Sequence, residues 1–375
     1  MTKIKIAIVG ARGIANYGGF ETVVSEIAPR FVKLGYDVYC SCEKNDEQKL
    51  PDTYCGAHLI YFPIKPPKNY LFRKINEVSY DIYFIIKCSL FCDLVYVLGV
   101  GTGILLLFPR FFHKTSVVNI DGLEWKRQKF SFIEKKLLHL SFNLAAMSAN
   151  YVIVDNKQLI NHVIGNPRKI IYVPNGIRTH AQVKWDAAKL VDRYGSKVAS
   201  IISRAAFWLV VARLEPENNI HIIVEAFMKA ETRFPLVIIG DFTSSVYQNE
   251  IYAKLSKSEK ILFLGALYDI DLLDMLRQNC FAYIHGHSVG GTNPSLLEIM
   301  SMEKIVIAYA SVFNKEVGQE SLLYFRNSDE LSQLIIQVED NPSANAMAKT
   351  QIQRIQDEYN WNAVVEKYES LFSKI

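Results

Sequence analysis

The chain is punctuated by short, wholly apolar runs that stop at glycine. Ile6-Ala-Ile-Val9 stops at Gly10, Leu236-Val-Ile-Ile239 at Gly240, and Ala282-Tyr-Ile-His285 at Gly286. Runs of this length without polar alternation belong to strands covered on both faces, as in a parallel sheet between helices. A first series comprises Lys5–Gly10, Val38–Cys42, Leu59–Phe62, Leu94–Leu98, Ser116–Ile120, Tyr151–Val154 and Ile171–Pro174. A second comprises Phe207–Ala212, Leu236–Gly240, Ile261–Leu264, Ala282–His285 and Ile305–Ala308. Helical spacing fills the gaps. Phe20–Leu34 puts Val23, Val24, Ile27 and Phe31 on one side, and Pro29 is expected to kink or shorten that helix. Ile220–Ala230 has similar spacing. The pattern predicts two consecutive doubly wound α/β units, with Arg178–Arg204 linking them.

Two domains also suit 375 residues, at roughly 100–200 residues each. With 50% hydrophobic and 21% charged residues the chain is neither disordered nor collagen-like. Its six cysteines show no zinc spacing and read as free thiols. Charge is uneven: residues 1–180 hold 23 Lys+Arg against 14 Asp+Glu, a net +9, and the remainder nets −5. A basic half calls for a polyanion or an anionic surface. The apolar stretch Leu94–Pro109 is shorter than the ~20 residues of a spanning helix and is broken by Gly99, Gly101 and Gly103. The opening run, Ile6–Gly10, is too short for a secretory signal. The protein is expected to be soluble or peripherally attached.

Ligands of doubly wound sheets sit at the carboxyl ends of strands, so strand-end loops are the candidate sites. Gly10 to Glu21 holds Gly13, Tyr17, Gly18, Gly19 and Phe20. It lacks the dinucleotide spacing, and reads either as a structural glycine loop or as one wall of a cleft between the units. After the strand at Ser116–Ile120, Asp121 and Glu124 can meet sugar hydroxyls and Trp125 can stack on a ring. The plain alternative is an Asp-Gly turn with a solvated charge cluster. Arg213, at the end of the first strand of the second unit, is placed for a diphosphate, or for a surface ion pair with Glu215 or Glu217. His285 to Glu298 is the most distinctive segment. Backbone amides from Gly290, Gly291, Thr292, Asn293 and Ser295 are expected to form an anion cradle, with Glu298 accepting from a ribose. His285 and His287 lack a third ligand nearby, so no metal site is expected.

Taken in order, Tyr17-Gly-Gly-Phe-Glu21, Asp121 to Arg127, Val173-Pro-Asn-Gly176, Ala212 to Glu217, His285 to Glu298 and Tyr359-Asn-Trp361 resemble the retaining glycosyltransferases of family GT4. More closely they resemble the bacterial β-1,4-rhamnosyltransferases of capsule and rhamnose-polysaccharide assembly. The resemblance implies the GT-B fold: an acceptor domain over 1–180, a donor domain over 181–358, and a last helix, about 359–375, returning to the first domain. It implies a nucleotide-sugar donor, dTDP-L-rhamnose, with no metal or other cofactor. The donor would lie on Arg213, Asn218, Gly265, Tyr268, His287 and the segment Gly290 to Glu298, with Gly18 and Gly19 opposite. Asp121, Arg213 and Asn218 would be the catalytic residues, and Tyr17, Phe20, Glu21, Asp121, Glu124 and Trp125 would hold the acceptor. Two departures stand out. Gly290 replaces the first glutamate of a Glu-x7-Glu pair, and Asn218 replaces a lysine, both as in the rhamnosyltransferase subgroup.

The implied acceptor is an undecaprenyl-diphosphate-linked saccharide for O-antigen or capsule, met at the inner face of the plasma membrane and not at nucleic acid. Residues 65–136 carry twelve basic against six acidic side chains, among Tyr70, Leu71, Phe72, Phe130 and Phe132. That mixture suits an anionic bilayer, or else a solvated helix face over core aromatics. Competing readings are a GT4 enzyme using a UDP- or GDP-hexose, a nucleotide-sugar epimerase, and a non-catalytic polysaccharide-binding protein.

Overall fold

Ile6, Ala7, Ile8 and Val9 are sealed from solvent in strand β1 (Lys5–Val9). All five residues of β5 (Leu94–Leu98) are buried too. Alternation is absent because both faces of these strands are covered. The computed structural model describes residues 3–14, 18–44, 51–67, 69–101, 103–128, 130–178, 180–202, 206–242, 246–255, 258–341 and 345–375, without the side chains of 70, 71, 254, 255, 345 and 346. It divides into two units, Met1–Gly176 with Trp361–Ile375, and Ile177–Asn360. The sequence expectation had put the division at residue 180.

The first unit adds β2 (Asp37–Cys42), β3 (Thr53–Tyr54), β4 (Ala57–Tyr61), β6 (Thr115–Ile120), β7 (Tyr151–Val154) and β8 (Ile170–Tyr172). Their order is β3-β4-β2-β1-β5-β6-β7-β8, parallel except for the β3–β4 pair. The order reverses between β1 and β5, so the loops after those strands diverge and leave room for a ligand. The helix Gly19–Lys33 runs through Pro29 rather than ending there. Pro29 has no N–H to offer the Ser25 carbonyl, and the Arg30 guanidinium donates to the neighbouring Glu26 carbonyl at 2.7 Å. The helix Trp361–Phe372 belongs to this unit. Tyr368 shares a 2.8 Å hydroxyl contact with Tyr96, and Phe372 meets Phe31 edge-on. A Cβ on Gly176 would collide with Trp361, so only glycine lets the chain pass there.

The second unit contains β9 (Trp208–Val211), β10 (Leu236–Ile239), β11 (Ile261–Phe263), β12 (Ala282–His285), β13 (Ile305–Tyr309) and β14 (Leu323–Phe325). All pair in parallel, in the order β11-β10-β9-β12-β13-β14. Counted from the unit's own first strand this is 3-2-1-4-5-6, the dinucleotide-fold order, with its switch point between β9 and β12. Those two strands pair only over Trp208–Leu209 and Ala282–Tyr283 and then part. Residues 180–202 are more than a link. They form the helices Ala187–Tyr194 and Ser196–Ile201, and Leu190 and Ile202 enter the core of this unit. No helix among the described residues is long and apolar enough to cross a membrane.

Candidate active site

In the second unit, the gap between β9 and β12 is bridged by side chains. The Tyr283 hydroxyl lies 2.9 Å from Ser295 Oγ, and each donates to the Val211 carbonyl, at 3.2 and 3.3 Å. The loop after β9 then runs against the loop after β12. Asn219 stands in the left-handed region at φ 51° and donates to the Gly286 carbonyl at 2.8 Å. A Cβ on Gly286 would collide with the Asn218 carbonyl. Asn218 is buried and has both ends of its amide engaged. Its Nδ2 donates to the Arg213 carbonyl at 2.7 Å, and its Oδ1 lies 2.7 Å from His287 Nδ1. Asn314 Nδ2 donates to the His287 carbonyl at 2.7 Å, fixing the same loop from the other side.

Arg213 is the loop's projecting cation. Its side chain is 57% exposed and its only ion pair among the described residues, with Glu215, spans 3.4 Å. An exposed pair of that length holds little energy, so the guanidinium is available to an anion. Gly290 sits at φ 124°, and a Cβ there would come within 3.3 Å of His287 Nε2. Gly291 and Thr292 are buried beside it, and Asn293 caps the helix Pro294–Met300. Ser295 is the second residue of that helix. Its backbone N–H donates to Asn293 Oδ1 at 2.9 Å, so that amide is already used within the protein. Gly265 follows β11 at φ 74° with open space where a Cβ would stand, and Tyr268 beyond it is exposed.

Glu298, one turn into the helix, lies 2.5 Å from Arg277 Nη2. Arg277 is buried, and its Nη1 lies 3.5 Å from Asp274, whose other oxygen is 2.9 Å from His180 Nδ1. Burial pushes the Asp274 carboxyl up, but His180, Arg277 and Arg178 outweigh it and hold it below the ordinary value. Sequence reasoning missed this row, because three of its members lie on stretches without a motif. His285 is buried, and desolvation lowers its imidazole to about 3, with His287 adding to the effect. Among the described residues no three His, Cys, Asp or Glu side chains gather as a metal site.

In the first unit, Gly10 ends β1 at φ 113°, where a Cβ would collide with the Leu98 carbonyl. Glu21 turns back into the loop, and one of its oxygens accepts from the Arg12 backbone N–H at 2.9 Å. A Cβ on Gly18 would strike that same carboxylate, whereas Gly19 has open space. Phe20 lies over Gly99, partly buried against the core. Tyr17 falls outside the described residues. Arg12 stacks on Tyr80 at 4.2 Å, with Glu43 and Asp81 each 3.8 Å away. No sequence motif marked that cluster.

Asp121 faces solvent at the end of β6 and is crowded by surrounding protein. That crowding first, then the Glu124 charge, raises its carboxyl to about 6 against the pull of Arg127. Glu124 pairs with Arg127 at 2.8 Å. Trp125 packs its ring on Phe142 and His139, at 4.4 and 4.7 Å.

Residues 196–355 match the family described as glycosyl transferases group 1. That match lies within the second unit. Residues 3–172 match a domain of unknown function, DUF1972. Solved structures of the same fold cover nearly all of this chain and of their own. Anabaena HepE in complex with UDP-glucose is 16% identical, with a TM-score of 0.75 over 99% of this chain and 100% of that one. Sucrose-phosphate synthase from Thermosynechococcus elongatus is 16% identical at 0.78, covering 99% of each. Trehalose 6-phosphate synthase from Burkholderia multivorans is 10% identical at 0.72, over 100% of this chain and 97% of that one. The chain has the GT-B fold, with two Rossmann-like units. With that fold and that match, the protein is a glycosyltransferase.

Proposed function

We propose that this glycosyltransferase moves L-rhamnose from dTDP-L-rhamnose, with retention, onto an undecaprenyl-diphosphate-linked saccharide in O-antigen or capsule synthesis. Gly290 is the observation that carries the donor. Its positive φ strains, and the closeness of His287 Nε2 crowds, any side chain where relatives of the resembled family place a carboxylate against the sugar. A 6-deoxy sugar asks for fewer polar contacts than a hexose. We assign the diphosphate to Arg213, whose exposed guanidinium can form charge-assisted bonds to it, and to the amides around Gly291. The acceptor hydroxyl bonds to the anomeric carbon as the diphosphate oxygen leaves it, and the departing diphosphate takes the proton. Catalysis is then positioning and stabilisation of leaving-group charge. Asp121 orients the acceptor, and Asn218 acts by holding the Arg213 loop rather than by touching substrate.

The acceptor's lipid places the first unit at the inner face of the plasma membrane. Support comes from the helix Phe132–Ser148, which exposes Phe132, Ile133, Leu137, Leu140 and Met147. Lys74 of the helix Tyr70–Ser89 reaches Glu134 at 2.7 Å, and Phe72, Ile75 and Val78 of that helix are exposed as well. Lysines beside exposed aromatics fit an anionic bilayer, at about 1 kcal/mol per cation near the surface. Phe130 is half-buried, and the side chains of Tyr70 and Leu71 lie outside those described. Flotation with vesicles containing anionic lipid tests the membrane half of the reading: protein rises with the vesicles, and more weakly after Lys135→Glu with Lys136→Glu. Protein that stays below even at low salt contradicts it.

A second reading has its own support. The UDP and UDP-glucose complexes of HepE share this fold, so a UDP-hexose is the rival donor.

A further inference from the structure

The row His180–Asp274–Arg277–Glu298 reaches the proposed nucleotide site from behind. Arg277, Asp274 and His180 have side chains under a tenth exposed, whereas Glu298 is 22% exposed and so is the end that meets solvent. Arg277 Nη2 holds Glu298 Oε2 at 2.5 Å. Asp274 and His180 hold Arg277 in turn, and its Nε has no hydrogen-bond partner. Among the described residues, Glu298 Oε1 has no protein partner.

A carboxylate with both oxygens free can take the two hydroxyls of a ribose, one on each oxygen. Here one oxygen faces a buried guanidinium 2.5 Å away. A second hydroxyl reaching Oε2 would have to share that oxygen with the guanidinium, which takes up its near side and part of its charge. We propose that Arg277 is a positioning residue that sets nucleoside specificity: by holding Oε2 it leaves Glu298 a single oxygen for the sugar, so the site gains little from a 2′-hydroxyl and accepts a 2′-deoxynucleoside diphosphate as readily as a ribonucleoside one. This rests on the assignment of Glu298 to the nucleoside sugar. It deepens that assignment by giving the pentose class, which is the deoxyribose of a dTDP donor.

Titration calorimetry of the full chain with UDP and with dUDP separates the 2′-hydroxyl from the thymine methyl. Wild-type protein binds the two within about twofold. Arg277→Met releases Oε2 and gives UDP an advantage of about tenfold, the size of one hydrogen bond to a charged acceptor. Glu298→Ala weakens both ligands alike, by about tenfold. A wild-type preference for UDP of tenfold or more overturns the proposal and needs no variant, so failure of Arg277→Met to fold leaves it decidable. An unchanged ratio in folded Arg277→Met also overturns it. Glu298→Ala with unaltered affinity for both ligands overturns the underlying sugar assignment instead, and the proposal with it.

Discussion

Asn218 Oδ1 and His287 Nδ1 lie 2.7 Å apart, joining the loop after β9 to the loop after β12 across the switch point of the second sheet. Because Asn218 Nδ2 is spent on the Arg213 carbonyl, its oxygen faces His287, and Nδ1 is the atom that donates to it. Asn218→Lys, the residue of the wider resembled family, would set a cation against that N–H and strand the Arg213 carbonyl. Turnover falls at least tenfold rather than rising, and the melting temperature drops. Steady-state rates with a thermal melt check both; a gain in turnover contradicts the clamp.

Arg213→Ala removes an exposed side chain whose ion pair is long, so stability changes by less than about 0.5 kcal/mol. Loss of one preorganised donor to leaving-group charge lowers kcat by about 100-fold or more. Rates near wild type would remove Arg213 from the site.

The buried His285 makes the second unit acid-sensitive. Its folded value, about 3, lies below the ordinary 6.5, so the unfolded chain takes up a proton first as pH falls. Stability is therefore full above about 6.5 and drains away towards 3. By pH 4.5 the loss from this group is about 2–3 kcal/mol. Denaturant midpoints at pH 7.5 and 4.5 should differ less in His285→Phe than in wild type, and an equal difference rules this group out as the cause.

Asp121, raised to about 6, is protonated below that pH and ionised above it. If its carboxylate orients the acceptor, kcat/KM for the acceptor climbs through an inflection near 6. Asp121→Asn lowers the plateau and removes that inflection. An inflection that survives the substitution belongs to another group.

The strands were legible because burial on both faces writes an unbroken apolar run, as in Ile6–Val9 and Leu236–Ile239. β14 is only three residues long and has two half-buried members, too little to stand out. The helices within 187–201 were hidden because burial falls on Leu190 alone, leaving no stripe to read. At the site, glycines and the Arg213 loop announced themselves through strand ends. Arg277 could not, since its partners Asp274, His180 and Glu298 converge only after folding. Glu21 and Trp125 likewise have protein contacts that the sequence does not show. Residue type and position suggested ligand contacts, while Arg12 and Phe142 engage them from within the protein.

Incubating the purified protein with an undecaprenyl-diphosphate-linked saccharide and, separately, dTDP-L-rhamnose, UDP-glucose and a GDP-hexose tests the central claim most directly. Mass spectrometry of the lipid product should show the gain of one deoxyhexose from dTDP-L-rhamnose and no gain, or a far slower one, from the others. Transfer from a UDP- or GDP-hexose with none from dTDP-L-rhamnose would contradict the account.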